Sequence, residues 1–153
     1  MLESFTYFRE REFWKVIGML DWQFVGDDIK VLERAKFYLA KKSNIAIESF
    51  RNTLNEKLIN LEDTEFLNMM LSNSLNSSKQ NITSRHFLNT RCLVVATGQK
   101  YYKSVLSNPA KMKENMEFGC LLDLSDMALQ IKYGGNYQKI NHGRNLKYEL
   151  STR

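Results

Sequence analysis

Two histidines and two cysteines are the side chains of this chain most suited to metal binding or nucleophilic catalysis, and their spacing argues against both. His86 and His142 stand far apart, with no cysteine or carboxylate at ligand spacing beside either, so no zinc or iron site is signalled. Cys92 and His86 fall on one helical pattern six residues apart, which turns them away from each other by about 120° at 3.6 residues per turn. A thiolate–imidazole pair is therefore not built by that helix. Cys92 and Cys120 both lie among apolar neighbours, where a thiol packs as a small hydrophobe.

The carboxylates group more closely. Asp27 and Asp28 follow Gly26 and precede an apolar-periodic run, which makes helix capping the expectation ahead of cation binding or acid–base work. Glu62, Asp63 and Glu65 cluster at a helix junction and read as a solvated turn. Asp123 and Asp126 lie one turn apart on the last helix and are expected on its exposed side, facing a partner. A phosphate site lacks its material: Gly134 and Gly135 follow a helix, whereas a phosphate cradle needs a glycine-rich loop leading into one.

The cationic and aromatic residues of the C-terminus are the remaining candidates for binding. Residues 136–153 hold Lys139, Arg144, Lys147 and Arg153 against Glu149, so +3 of the chain's net +5 sits there. Tyr137 and Tyr148 interleave with those cations, a mixture able to contact phosphates and stack on bases or to meet an acidic protein surface. The net charge is mild for a protein that coats nucleic acid. Tyr137, Lys139, Arg144, Lys147 and Tyr148 are therefore assigned as partner contacts, with another protein as the expected partner and nucleic acid as the alternative.

The elements that must carry these residues are helical. One proline and few alternating β-branched runs in 153 residues favour an all-α chain. A first helix is expected from about Glu10 to Met19, burying Phe13, Trp14, Ile17 and Leu20. A second, DIKVLERAKFYLAKK, presents Ile29, Leu32, Ala35 and Leu39 along one side, with Lys41 and Lys42 at its negative end. Ser43 caps a third, in which Ile47, Phe50, Leu54, Leu58 and Leu61 recur at spacings of three and four. TEFLNMMLSNSL continues as a shorter helix, and SNSLNSSKQNITS follows as an exposed loop.

From Ser84 one long helix is expected, with Phe87, Leu88, Arg91, Val94, Val95, Gly98, Tyr102, Val105 and Leu106 on a broad buried face. Glycine costs a helix interior about 1 kcal/mol relative to alanine. Gly98 is accordingly read as a packing glycine that admits a close neighbour, such as Trp14 or Trp22. Asn108 before Pro109 restarts the chain. A last helix covers Met116 to Lys132, turns Phe118, Leu121, Leu122, Ser125, Ala128 and Leu129 inward, and stops at Gly134 and Gly135. LKYEL is a short strand or an extended arm.

These readings sum to a compact single-domain bundle of about six helices over residues 1–135, with a basic C-terminal extension over 136–153. The N-terminus shows no uninterrupted apolar stretch of the secretory kind, and no apolar run approaches the roughly 20 residues that span a bilayer. A cytoplasmic protein with no membrane association is expected.

Five stretches carry a resemblance: EFWKVIGMLDW, GDDIKVLE, FRNTLNEKLINLED, FLNTRCLVVATGQKYYKSVLSNPAKM and MEFGCLLDLSDMA. Together they resemble the bacterial domain-of-unknown-function family number 4240, over roughly Glu12 to Tyr133. RCLVVATGQKYYKSVLSNPAKM is the strongest part, with Gly98, Tyr102, Leu106 and Pro109 at the family's glycine, aromatic, aliphatic and proline. The resemblance implies a small helical protein and no assigned chemistry. The family pattern places acidic residues just before the match to Phe87 and a glutamate after the match to Phe118. Here Ser84, Arg85 and His86 stand before Phe87 and Gly119 follows Phe118, so an acidic site of the family would be missing from this chain. The resulting expectation is a non-catalytic protein without cofactor that binds another protein, most concretely an immunity or antitoxin-like protein neutralising a bacterial toxin domain. The alternative is a nucleic-acid-associated regulator using the basic tail.

Overall fold

The computed structural model describes residues 2–63, 65, 68, 84–113 and 116–134, with side chains from Arg9 onward. Among them every regular element is a helix and none is a strand. The all-α expectation holds. The described residues form two compact units, one of residues 2–55 and 120–134 and the other lying between 56 and 119. The segment TEFLNMMLSNSL, apart from Glu65 and Asn68, lies outside the described residues, as do the Ser/Asn stretch up to Thr83, LKYEL and all of 135–153.

In the first unit, α1 (Leu2–Ile17) begins well before the expected Glu10. Phe13, Val16, Ile17 and Leu20 are buried, whereas Trp14 is half-buried and its indole N–H donates to Glu10 at 3.2 Å. A 3-10 turn, Trp22–Phe24, leads to Gly26 at φ +98°, a backbone state that favours glycine. Asp27 then caps α2 (Asp28–Ala40), its carboxylate accepting from the Lys30 amide at 3.3 Å. The capping expectation holds for Asp27.

The buried stripe of α2 is Val31, Leu32, Ala35 and Leu39, and the helix packs on α1 and on the last helix. Ile29, expected inward, is 68% exposed. The stripe starts within the same first turn at Val31, 0% exposed and about 200° round the helix from Ile29, so Ile29 falls outside it. Ser43 caps α3 (Asn44–Asn60), its hydroxyl oxygen accepting from the Ala46 amide at 3.1 Å. Every expected core position of this pattern, Ile47, Phe50, Leu54, Leu58 and Leu61, is buried.

The last helix differs from expectation at its start. A 3-10 turn, Gly119–Asp123, precedes α6 (Leu124–Tyr133), and Gly134 at φ +64° ends it. Five residues at 3.0 rather than 3.6 per turn change the helical phase by roughly 100°. Leu124 and Asp126 consequently turn inward beside Leu121, Ser125, Ala128 and Leu129, and Leu122 is only half-buried. Asp126, expected to face a partner, is 7% exposed and receives the Arg51 guanidinium of α3 at 2.6 Å. Arg51 also reaches Glu48 at 3.2 Å.

In the second unit the single long helix expected from Ser84 is two helices. α4 (Ser84–Thr97) and α5 (Gln99–Ser107) meet at Gly98, where φ is +124° and ψ 169°. A Cβ at Gly98 would meet nothing within 4 Å, so the glycine admits no close neighbour. It is present because an L-residue is strained in that backbone state. Leu106, on the far side of the break, is 37% exposed, and Leu88 is half-buried. Asn108 caps the 3-10 turn Pro109–Lys111, accepting from the Ala110 amide at 3.2 Å, as the Asn-Pro restart implies.

The break lets both halves address the C-terminal end of α3, whose last carbonyls lack helical donors. Arg91 of α4 donates to the Leu58 carbonyl at 3.1 Å. Tyr102 of α5 donates to the Lys57 carbonyl at 3.3 Å and accepts from the Asn60 side-chain Nδ2 at 3.2 Å. Both side chains are buried. The turn at Gly98 thus directs two polar side chains to one helix end.

Candidate functional site

Four exposed large apolar side chains of the first unit gather at the connection into α2. Trp22 is 36% exposed, Phe24 39%, Val25 72% and Ile29 68%, all within eight residues. Their backbone is held in place. Asp21 accepts from the Gln23 amide at 3.3 Å and donates its own amide to the Val31 carbonyl at 3.0 Å, while the Asp27 amide bonds the Phe24 carbonyl at 2.9 Å. The Lys30 ammonium lies 5.7 Å from the Phe24 ring centre and 3.7 Å from the Asp27 carboxylate. Along the chain Asp21, Asp27 and Asp28 flank the strip, and Lys30 pairs with Asp27. The strip is therefore apolar, fixed in shape and acidic at its edge.

A cavity of about 370 Å³ opens elsewhere in the same unit, between α1, the end of α2 and the start of α3. Phe13 and Val16 of α1, Leu39 of α2, and Ala46 and Phe50 of α3 make its walls, and the Phe13 and Phe50 rings lie 5.1 Å apart. Arg9, Glu12, Tyr38, Lys42, Ser43 and Ser49 supply its polar atoms. The Tyr38 hydroxyl donates to Glu12 at 3.1 Å, and the Lys42 ammonium lies 4.6 Å from the Tyr38 ring centre. Tyr38, first as a hydrogen-bonding group and then through charge, with Glu12 adding less, holds the Lys42 ammonium above its ordinary value. Lys42 is thus a cation throughout the neutral range.

The other candidates have structural partners. Burial, with the Asp28 carboxylate beside it, pushes the half-buried Cys120 thiol up to about 12, so its nucleophilic form is scarce at neutral pH. Cys92 is buried and unbridged. The His86 ring contacts the Glu117 carboxylate, and Asp63 accepts from the Glu65 amide at 3.1 Å. Glu62 lies 3.8 Å from Arg91. Among the described residues no group of three or more His, Cys, Asp or Glu is placed to hold a metal. Among them also, no helix is long and apolar enough to cross a membrane.

Gly119 has a local reason. A Cβ there would lie 2.2 Å from the Asn89 side-chain oxygen, and the Phe118 amide bonds the Asn89 carbonyl at 3.1 Å. Asn89 thus fills the space a glutamate at 119 would need. The contacts assigned from the sequence, Tyr137, Lys139, Arg144, Lys147 and Tyr148, lie outside the described residues, and so does His142.

Neither the strip nor the cavity was singled out by sequence reasoning. For the strip a signal existed: WQFV packs large apolar residues between turn formers and acids, where a helix would expose them. The cavity had none, because Arg9 and Glu12 of α1 and Tyr38 and Lys42 at the end of α2 reach it from separate elements.

No curated protein and no solved structure matches the chain. A family model does, over residues 8–131, through both units and the residues of the strip and the cavity. On that match the chain belongs to the family described as Protein of unknown function (DUF4240).

Proposed function

We propose that this protein is a non-catalytic binding module whose strip from Trp22 to Ile29 docks on another protein, most concretely as an immunity or antitoxin-like partner of a toxin domain. The observation that carries the reading is the strip itself. Clustered exposed aromatic and aliphatic side chains mark protein-interaction surfaces more often than they occur as idle surface. Tryptophan and other aromatics are the usual anchors of such interfaces. A backbone already held by hydrogen bonds loses little freedom on docking, which favours affinity. The acidic border selects a partner with an apolar patch ringed by Lys and Arg, since complementary charge steers encounter and excludes wrong partners. An inhibitor of a cationic enzyme surface has this character.

The test is site-specific photo-crosslinking in the native host from positions 25, 29 and 52, the last an exposed residue of α3. One protein should be captured from 25 and 29 and not from 52. Val25→Asp with Ile29→Asp should abolish the capture at unchanged thermal stability, because both side chains are exposed. The captured protein should lose its activity at a one-to-one ratio with this chain. Equal adducts from all three positions, or capture that survives the double substitution, would reject the strip as the docking surface.

A further inference from the structure

We propose that the outer face of α5 and the turn after it bind the phosphate backbone of duplex DNA without reading its sequence. This face lies in the second unit and shares no residue with the strip, so the proposal stands independently of the docking reading. Its first support is in the chain. From Phe66 to Lys113 there is no Asp or Glu, and seven Lys and Arg fall in that stretch, more than the net +5 of the whole chain. Four of the seven, Lys100, Lys103, Lys111 and Lys113, stand exposed in or just after α5. Among the described residues no carboxylate pairs with any of these four lysines. Burial of Tyr102 and Val105 fixes which side of α5 points outward, and Gln99, Lys100, Lys103 and Ser107 are exposed on it. Lys100 and Lys103 are three residues apart, about 60° round the helix, where side chains are neighbours. The turn then folds back on the helix. The Tyr101 hydroxyl donates to the Lys111 carbonyl at 2.8 Å, which holds the Lys111 backbone within a tyrosine's length of residue 101, and Met112 is buried behind it. Lys100, Lys103 and Lys111 are thus gathered around the N-terminal half of α5.

The chemistry of the face selects the partner. Duplex phosphates are met by lysines and by neutral donors such as Gln and Ser, which position the duplex and carry no sequence information. Single-stranded nucleic acid is held also by aromatic rings that stack on its bases. Here Tyr102 is buried and Tyr101 is tied to the Lys111 carbonyl, so neither ring is offered to a base. A helix that lies on a membrane turns its large apolar side chains outward. The large apolar residues of α5 turn inward except Leu106, 37% exposed. Protein interfaces are depleted in lysine relative to the rest of the surface and rely on aromatic and arginine anchors, which this face lacks.

The experiment follows binding of the full chain to a short mixed-sequence DNA duplex by fluorescence anisotropy over a salt series, with amide chemical shifts to locate the contact. The logarithm of the affinity should fall against the logarithm of salt with a slope of about −3 or steeper, as expected for three or more phosphates neutralised. The largest shifts should lie between Gln99 and Lys113. Lys100→Gln, Lys103→Gln and Lys111→Gln should each make the slope shallower by about 1. Together they should weaken binding about tenfold or more at low salt, with thermal unfolding unchanged because all three side chains are exposed. Scrambling the duplex sequence should leave the affinity unchanged. The proposal fails if the duplex does not bind at low salt, or if the triple variant, folded like the parent, keeps the parent's affinity and slope. It also fails if single-stranded DNA of the same length, a glutamate polymer or vesicles of phosphatidylcholine with phosphatidylserine bind as tightly as the duplex at the same salt.

Discussion

Among the described residues each unit buries one arginine, and the two are compensated in different ways. Arg51 in the first unit is 4% exposed and meets carboxylates, Asp126 at 2.6 Å and Glu48 at 3.2 Å. Arg91 in the second is fully buried and meets a backbone carbonyl, that of Leu58 at 3.1 Å, with its guanidinium 4.4 Å from the Phe87 ring centre and Glu62 more distant at 3.8 Å. A charge taken out of water needs compensation, and a carboxylate at hydrogen-bonding distance supplies more of it than a carbonyl and a ring face do. Arg51 therefore joins two helices through charge. Arg91 closes the end of one helix and fills space as a large side chain. The lesson is that burial alone does not define an arginine's role; the chemistry of its acceptor does.

Asp126→Ala tests the first half of that contrast and should have the largest effect. It leaves the Arg51 charge buried without its shortest partner, which costs about 3–5 kcal/mol, measured by urea unfolding. The sharper form replaces both partners, Arg51→Met with Asp126→Leu. Stability should then return to within about 1 kcal/mol of the parent, because an apolar pair of similar volume removes the desolvation penalty along with the attraction. A double variant as unstable as the single one would show that the charge pair is needed for the packing itself.

Arg91→Met tests the second half. The methionine keeps much of the apolar stem and loses the charged bond to the Leu58 carbonyl, which still accepts from the Leu61 amide at 3.1 Å, so a smaller loss of about 1.5–3 kcal/mol is expected. Hydrogen exchange should accelerate at the end of α3 and stay unchanged at Arg51. A loss as large as that of Asp126→Ala would place the two arginines in the same class.

Gly98→Ala probes the turn that brings Arg91 and Tyr102 to the same helix end, and its effect should be the smallest. Strain at this backbone state costs about 1–3 kcal/mol, part of which the chain can recover by straightening toward the continuous helix that its periodicity favours. The diagnostic is again hydrogen exchange, now at Lys57 to Asn60. Stabilisation by alanine would mean that the glycine had no conformational role.

Much of the helical framework was legible because it follows from local rules. Asp27, Ser43 and Asn108 cap where their position ahead of an apolar run or a proline requires a side-chain acceptor. The α3 pattern is buried at every expected position, since a spacing of three and four leaves a helix only one apolar face. The misreadings at Gly98 and Asp126 share a cause. Periodicity assigns a face only while the helix continues, and a positive φ or a 3-10 segment breaks the phase without changing the composition.

The sequence by itself determined the all-α class, the caps, the glycine-terminated last helix and the kinship of residues 8–131. These depend on neighbours a few residues apart, or on a pattern spread along the chain. Tertiary structure decided that Asp126 pairs with Arg51 across 75 residues, that WQFV stays exposed, and that Arg9, Tyr38 and Lys42 share one cavity. The physical reason is that the free energy of a buried charge or an apolar wall depends on what surrounds it in space, and residues distant in sequence supply those surroundings.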